Sequence, residues 1–552
     1  MAETKLSTHE VVNQSSDRSG FNAFAADPLL RRLVSDLSPE TIDSLERHGR
    51  FCGSPEAMDL ARLANVHAPS LRRFDEKGRR IDLVDYHPAY HALMRRSIAD
   101  GLHASAWSGP AAEGGHRHLA RAARLYMTAG VESGHLCPLT MTSASVAALA
   151  VAPDLLSAWM PRLTARQYDP GVKPASVKTG VTIGMGMTEK QGGTDLRANT
   201  TRAARSADGT YRLDGHKWFL SAPMSDAFLL LAQTGEGPSC FLVPRVLEDG
   251  RLNGLHLQRL KDKLGNRSNA SAELELVEAS GTLVGEPGRG IRTLIEMVSL
   301  ARLDCALASS GLMFAALGEA VHHCRERKAF GRFLIDQPAM LRVLGDMALD
   351  VAAATALSMR LADSLDRTGE GGANASEASA FVRVMTPVTK YWVCKMAPAL
   401  VAEAMECLGG NGYVEDGRLA RAYREAPVNA IWEGPGNVMA LDLLRVVERH
   451  PEAVDAMIEG IARDLGRRAG RTPDVLRAAV AVAKADEGSA RLLAEQFALA
   501  AAAASLARLG HESLCDAFLE TRLGGVWRHS YGMLDLRTDA RSLVDELHPP
   551  LR

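Results

Sequence analysis

Apolar residues recur every three or four positions through most of the chain, the period of amphipathic helices, and give way once to short alternating runs. From about residue 23 to 180 the helical period dominates, as in DPLLRRLVSDL and HPAYHALMRRSIADGL. Asp85 to Pro88 introduces one of these helices, and RFDEKGRR reads as a solvated, turn-like connection. Near 181 the pattern changes. TYRLDGHKWFLSAP, DAFLLLAQT, SCFLVPR and AELELVE are short stretches punctuated by Gly, Pro, Asn and Asp, which predicts a compact β-domain to about 290. Long Ala- and Leu-rich helices then return, one of them ending at the LGGNG turn around Gly409 to Gly412, and suggest a bundle. The last hundred residues are helical again, with FALAAAAASLARL near their middle. The expectation is an α+β fold, mainly α, in four parts: a helical domain 1–180, a β-domain 181–290, a helical bundle 291–450 and an extra helical domain 451–552. No fixed-period repeat argues for a solenoid.

Composition narrows the function class. A chain of 552 residues is several domains long. Lys and Arg number 64 against 66 Asp and Glu, so no global charge draws the protein to nucleic acid or an anionic membrane; any polyanion site is a local patch. The eight cysteines lie far apart and never form Cys-x-x-Cys, which argues against zinc ligation and a disulfide framework and fits a reducing cytoplasm. The N-terminal stretch is polar, and no uninterrupted apolar run approaches the roughly 20 residues that span a bilayer, so a cytoplasmic protein without membrane association is expected. Neither a Gly-x-Gly-x-x-Gly after a strand nor a Gly-x-x-x-x-Gly-Lys-Ser/Thr is present, which disfavours nicotinamide and P-loop enzymes.

Three stretches carry candidate chemistry. Gly184 to Asp195 packs small residues and hydroxyls densely enough for backbone N–H groups to approach a ligand, with Thr188 and Thr194 as additional hydrogen-bonding groups; an ordinary Gly-rich loop has the same appearance. His216 to Ser221 places Trp218 and Phe219 before a hydroxyl at the end of a strand, suited to stacking on a flavin ring or equally to a core. Ile431 to Asn437 holds Glu433 between apolar residues and a Gly-Pro-Gly turn. Desolvation there raises a carboxyl pKa and suits proton abstraction beside a carbonyl, and a helix-capping role is the plain alternative.

Together these stretches resemble the acyl-CoA dehydrogenase family. MTEKQGGTD is similar to its flavin-binding loop, HKWFLS to its flavin-wall strand and RKAFGRFLIDQP to its cross-subunit segment, with LGGNGY and IWEG following in order. ERHGRFCGSPEAMDLARLANVHAP, RFDEKGRRIDLVDYHPAYHALM and RLKDKLGNRSNAS resemble the family's adaptive-response, alkylation-linked branch, and extend the likeness from about 45 to 450. The resemblance implies an FAD-dependent oxidoreductase acting on an acyl-CoA thioester. Met187, Thr188, Gly193 and Thr194 would line ring and pyrophosphate, Phe219, Leu220 and Ser221 would sit beside the ring, and Trp432, Gly434 and Asn437 would flank the dinucleotide. Arg327, Phe330 and Gln337 would reach the FAD of a neighbouring subunit and Gly409, Gly410 and Gly412 would lie near it, which implies a homotetramer, a dimer of dimers. Glu433 holds the position of the catalytic base, and Arg302 that of a substrate contact; Ala301 ahead of it removes the alternative base of some members. Pro435 and Asn437 replace a Thr and a Gln of the usual pattern, which changes the hold on the ADP part.

In the alkylation-linked branch the C-terminal segment is associated with duplex DNA and with protection against alkylation, with weak isovaleryl-like dehydrogenase activity beside it. Residues 451–552 carry thirteen basic and fifteen acidic side chains, so phosphate neutralisation would rest on local clusters: Arg463, Arg467, Arg468 and Arg471, and Arg522 with Arg528. The alternative is a metabolic acyl-CoA dehydrogenase without DNA binding.

Overall fold

The computed structural model describes residues 10–109, 112–369, 372–524, 531 and 539–551. Helices α1 (Pro28–Leu33), α2 (Pro39–Cys52) and α3 (Pro55–Val66) each begin on a proline, and the side chains of Asp27, Ser38 and Ser54 accept from backbone N–H groups of their first turns. A proline at the first helical position loses no hydrogen bond there, and the capping side chain satisfies an otherwise orphaned donor. RFDEKGRR is the turn of a small hairpin, β1 (Ser70–Phe74) with β2 (Arg80–Asp85), an element that the helical period around it does not announce. Helices α4 (Pro88–Ala99), α5 (Arg117–Ala129), α6 (Leu136–Leu149) and α7 (Pro153–Leu163) complete this part.

The sheet contains β3 (Ile183–Gly186), β4 (Arg202–Arg205), β5 (Tyr211–Ser221), β6 (Ala227–Thr234), β7 (Gly237–Pro244), β8 (Leu255–Leu260) and β9 (Ser271–Val284). Strands β4, β5, β9, β7 and β6 pair in that order, and β6 returns to β4 through Arg202 and Gln233, so the sheet closes on itself. Strand β3 adds in parallel to β6, and β8 pairs with β9. The register of β5 against β9 shifts between Lys217 and Leu220. A bulge exchanges the two faces of a strand. Leu213 and Lys217 therefore point inward before it and Leu220 after it, which leaves Trp218 and Phe219 together on the outside.

Helices α8 (Gly290–Glu326), α9 (Pro338–Arg367) and α10 (Gly372–Cys407) form the bundle. Between α8 and α9 lies a two-residue-strand hairpin, β10 (Lys328–Ala329) with β11 (Arg332–Phe333). Then come α11 (Gly410–Tyr413), α12 (Arg418–Glu425) and α13 (Gly436–Arg449). The C-terminal helices α14 (Pro451–Leu465), α15 (Thr472–Ala485), α16 (Ala490–Arg508), α17 (Glu512–Phe518) and α18 (Ala540–Leu547) pack back on this bundle. Their Leu493, Phe497, Phe518 and Leu547 belong to the same continuous apolar core as Leu30, Leu307 and Leu357, so the extra segment is an extension of the bundle core. The alanines of α16 explain this: Ala500 to Ala504 are fully buried, and small side chains let α16 approach α9 and α10 closely. Two helical stretches, Gly290–Glu326 and Glu487–Arg508, are long and apolar enough to cross a bilayer, and both are mostly buried inside this core.

Two contacts clamp α8 to the N-terminal helices. Arg121 of α5 makes a bidentate pair with Asp304 at 2.7 and 2.6 Å, and Thr140 of α6 donates to the same carboxylate. At Gly311 the backbones nearly touch, since a Cβ there would lie 2.0 Å from the carbonyl oxygen of Tyr126. Gly311→Ala is expected to force α5 and α8 apart and to destabilise the protein by about 1–3 kcal/mol, the usual cost of overpacking. A denaturant or thermal midpoint unchanged by this substitution would contradict the contact.

Candidate active site

The centre of the site is a carboxylate whose Oε2 has no hydrogen-bond partner among the described residues. Glu433 follows a short 3-10 turn, Ala426–Ala430, and precedes α13. Its φ is 56°, a left-handed conformation that costs energy for a non-glycine residue and persists only where its surroundings impose it. They do so by holding the backbone on both sides: Arg302 Nε donates to the Glu433 carbonyl at 2.9 Å, and Lys390 Nζ donates to the Gly434 carbonyl at 2.7 Å. Gly434 has φ 109°, a conformation that L side chains rarely adopt, so glycine is favoured there, and the methyl of Met439 packs against it. The side chain is thereby aimed inward, where Oε2 is buried and accepts no hydrogen bond. Burial raises the Glu433 pKa above its ordinary value, although the charges of Lys390 and Arg302 pull the other way. A carboxylate that is buried, poorly solvated and conformationally fixed is a proton acceptor waiting for an acidic C–H or a hydroxyl.

Arg302, assigned by resemblance to the substrate, spends its donors inside the protein. Besides the Glu433 carbonyl it pairs with Asp442 at 2.8 Å, so its observed place is that of a positioning residue. Trp432 donates through Nε1 to Asn429, which in turn donates to Ser309 of α8. Lys390 is a contribution that the sequence reading missed. Its signal was a lone charge in the apolar run of α10, and the side chain is 1% exposed.

The Gly-rich loop and β5 belong to the β-domain, where the Cys137 thiol lies within electrostatic reach of Glu433 and hydrogen-bond reach of Ser221 at the end of β5. Met187 offers its carbonyl to Asn199 at 2.9 Å, Thr188 accepts from the backbone N–H of Trp218 at 2.9 Å, and Gly193 lies so close to Thr188 that a Cβ would sit 2.5 Å from the hydroxyl. Thr194 is exposed and Gly192 half-buried, and nothing lies within 4 Å of a Cβ at Gly192. The loop is anchored beneath by an ion pair also absent from the sequence reading. Lys217 Nζ meets Glu189 Oε1 at 2.7 Å with both side chains fully buried, and Glu189 also accepts from the backbone N–H groups of Thr200 and Thr201. Burial opposes ionisation of Glu189, yet Lys217 and the threonines outweigh it and hold the pKa at about 2. On the outer face Phe219 is 48% exposed, Trp218 is capped by Lys261 Nζ at 3.3 Å from its ring centre, and Ser221 Oγ bonds Ser271 at 3.0 Å. Leu220 needs correction as a cofactor contact. Its side chain is turned into the core of the sheet with Phe228 and Leu230, leaving only its backbone for a ligand.

The segment assigned to a neighbouring subunit stands apart on the β10–β11 hairpin. Phe330, φ 51°, is fully exposed at its tip, Arg327 donates to the carbonyl of Asn13, and Gln337 donates to Ala329. In the turn after α10, Gly409 has φ 60° and Gly410 has open space around it, whereas Gly412 abuts the Met405 carbonyl. Asn437 is exposed and accepts from Arg491 of α16 at 2.7 Å, so the extra segment touches the edge of the site.

The arginine clusters are largely spent. Arg522 is buried between Asp346 and Asp350, at 2.6 and 2.8 Å, and is not available to DNA. Arg463 pairs with Glu377, and Arg468 with Asp516 and Glu512. Arg467 and Arg471 are exposed and form no ion pair among the described residues, while Arg528 lies outside the described residues.

The donor set fits a flavin dinucleotide: an open Gly-rich backbone with hydroxyls, an exposed aromatic on a bulge, and a carboxylate with an unpartnered oxygen. Three family descriptions match the chain in sequence order: Adaptive response protein AidB N-terminal domain over residues 13–170, the acyl-CoA dehydrogenase middle domain over 184–279 and its C-terminal domain over 288–448. The chain is 44% identical to AidB of Escherichia coli (strain K12) over 525 residues, 94% of this chain and 96% of that protein. It is 31% identical to acyl-CoA dehydrogenase family member 11 of Caenorhabditis elegans over 77% of this chain and 70% of the relative. The crystal structure of Caenorhabditis elegans ACDH-11 in complex with C11-CoA superposes with a TM-score of 0.82 at 26% identity, covering 99% of this chain and 95% of that one.

Proposed function

This chain belongs to the acyl-CoA dehydrogenase family, and from that premise we propose that Glu433 is the base that takes the α-proton of an acyl-CoA thioester. The protein is an FAD-dependent acyl-CoA oxidoreductase of AidB type. Bound FAD would supply the acceptor for the β-hydride. The observation that carries the proposal is the unpartnered, buried Oε2 of Glu433. Everything else in the chain prepares that atom: Arg302 and Lys390 fix its backbone, Gly434 clears the space beside it, and desolvation makes it a stronger base once ionised. Met187, Thr188, Gly193, Thr194, Phe219 and Ser221 hold the cofactor on one side, with Trp432, Gly434 and Asn437 on the other. Arg327, Phe330 and Gln337, with Gly409, Gly410 and Gly412, serve the cofactor of a neighbouring subunit in a homotetramer; the full exposure of Phe330 on its hairpin supports this. Anaerobic titration with straight and branched acyl-CoAs tests the reading: at least one of them bleaches the oxidised flavin band, and failure of every chain length to do so would remove it.

A second function, protective binding of duplex DNA in the response to alkylation, is supported by the match to the AidB N-terminal domain and by the extent of identity to AidB. The weak residual dehydrogenase activity would then accompany that role. With Arg463, Arg468 and Arg522 engaged by acids, the DNA contact rests on Arg467 and Arg471. The double substitution Arg467→Ala with Arg471→Ala is expected to weaken duplex binding severalfold at low salt and to flatten its salt dependence, because two phosphate contacts are lost. Binding that is absent in the wild type would assign the protein to metabolism alone, and binding unmoved in the double variant would remove Arg467 and Arg471 as the contact.

A further inference from the structure

Just past the Glu433 turn, basic side chains from two other helices converge on the residues that lead into α13. Lys390 of α10 donates to the Gly434 carbonyl, and its charge acts on Glu433. Five residues further along α10, Lys395 lies over Gly436: a Cβ there would meet its Cε at 2.5 Å and its Nζ at 3.2 Å. From α16, in the extra C-terminal segment, Arg491 Nε donates to the Asn437 side chain at 2.7 Å.

Acids do not balance these charges. Lys390 has Glu433 within electrostatic reach, and Asp442 of α13 is taken up by Arg302 and Arg445. Lys395 and Arg491 form no ion pair among the described residues; their side chains meet only the Tyr391 ring, 5.7 Å from Lys395 Nζ, and Asn437. Glu495, one turn along α16 from Arg491, acts on Tyr391 and makes no ion pair with either cation. Burial lowers the Lys395 pKa, and the charges of Arg491 and Lys390 lower it further, so the field that Lys395 feels is that of like charges. The start of α13 adds the same sign, since Pro435 caps none of its N–H groups and the first turn holds no acid. Lys395, Arg491 and Asn437 are all exposed, so a ligand can reach them together. Two cations drawn to one place without an acid, each with hydrogen-bond donors to spare, are what a phosphate group would stabilise.

We propose that Arg491 and Lys395 grip a phosphate of the FAD dinucleotide, which makes the extra C-terminal segment part of the cofactor site. This rests on the reading that puts Trp432, Gly434 and Asn437 beside FAD.

FAD release from the diluted full-length holoprotein, measured as flavin recovered in the ultrafiltrate at low and moderate salt, tests it. Arg491→Ala and Lys395→Ala should each release FAD at least about tenfold faster than the wild type at low salt. Wild-type release should quicken with ionic strength more steeply than that of either variant, because salt screens a contact that the variants lack. Arg491→Lys keeps the charge and gives up the bond to Asn437, and should stay within about threefold of the wild type. If it releases FAD as fast as Arg491→Ala does, Arg491 only steadies Asn437 and the proposal falls. Equal retention of flavin by the wild type and both alanine variants would overturn the proposal while leaving the cofactor assignment intact; a wild type that binds no FAD would overturn both. Unchanged release with weakened binding of an acyl-CoA or of duplex DNA would overturn it too, because the cations would then serve those phosphates.

Discussion

Glu433→Gln is expected to lower the rate of flavin reduction by acyl-CoA about 10²–10⁴-fold, the usual contribution of a positioned general base, while the protein still folds and holds its cofactor. The amide has the size of the acid, and the contacts that shape this turn come from Arg302 and Lys390 to backbone carbonyls, which the substitution leaves in place. Only the proton acceptor is lost. The pH dependence follows from the same desolvation. Because the folded-state pKa is raised, the fraction of ionised base falls as pH drops through that raised value, and the wild-type rate falls with it. For stability the sign is opposite. The neutral acid is the comfortable buried form, so its contribution is fully present below the ordinary glutamate pKa and is lost as pH rises through the raised value. Glu433→Gln should therefore match the wild type in stability at acid pH and exceed it at alkaline pH. Denaturant midpoints of the two proteins across pH check this, and a variant that is less stable at alkaline pH would count against a desolvated carboxylate.

The second large effect is expected beneath the Gly-rich loop. Glu189→Gln leaves the Lys217 ammonium fully buried without its counter-ion, a change that costs about 3–5 kcal/mol when one partner of a buried pair is removed. The loss should be read both as a lower unfolding midpoint and as weaker FAD retention, since the loop Met187–Thr194 is fixed through Glu189. Pairing it with Lys217→Met should recover much of the stability, because no unpaired charge is then left buried and the amide can still accept from the backbone N–H groups of Thr200 and Thr201. If the single variant is as stable as the wild type, the pair is not buried as described. Acid titration gives an independent reading. The Glu189 pKa is depressed to about 2, so its stabilising contribution is present above the ordinary glutamate pKa near 4.5 and is lost as pH falls toward 2.

Much of this was legible in the sequence, for physical reasons that differ from element to element. The sheet announced itself because Ala227 to Thr234 and Gly237 to Pro244 are strands buried on both faces and flanked by turn residues. The long helices announced themselves by a period sustained over thirty residues or more, as in α8. The hairpin Ser70–Asp85 did not, because its strands are half exposed and rich in arginine, a composition that reads as solvated connection. The turn around Glu433 was visible as a motif, but its two braces were not. Arg302 and Lys390 come from helices 131 and 43 positions away in sequence, and nothing local says that a lysine in an apolar helix will face a carbonyl. The face of Leu220 was misjudged because a bulge two residues earlier changes the parity of β5, and bulges leave little trace in composition. Arg522 was grouped with surface arginines because its partners Asp346 and Asp350 lie on α9, far away in the chain.

The measurement that bears most directly on the central claim is anaerobic stopped-flow flavin reduction by the best acyl-CoA, in wild type and Glu433→Gln across pH. We predict bleaching in the wild type that weakens as pH falls through a raised pKa, and bleaching slowed at least about a hundredfold in the variant above that pKa, a gap that narrows below it, with the flavin still bound. Equal rates in the two proteins, or a wild-type flavin that no acyl-CoA reduces, would contradict the account.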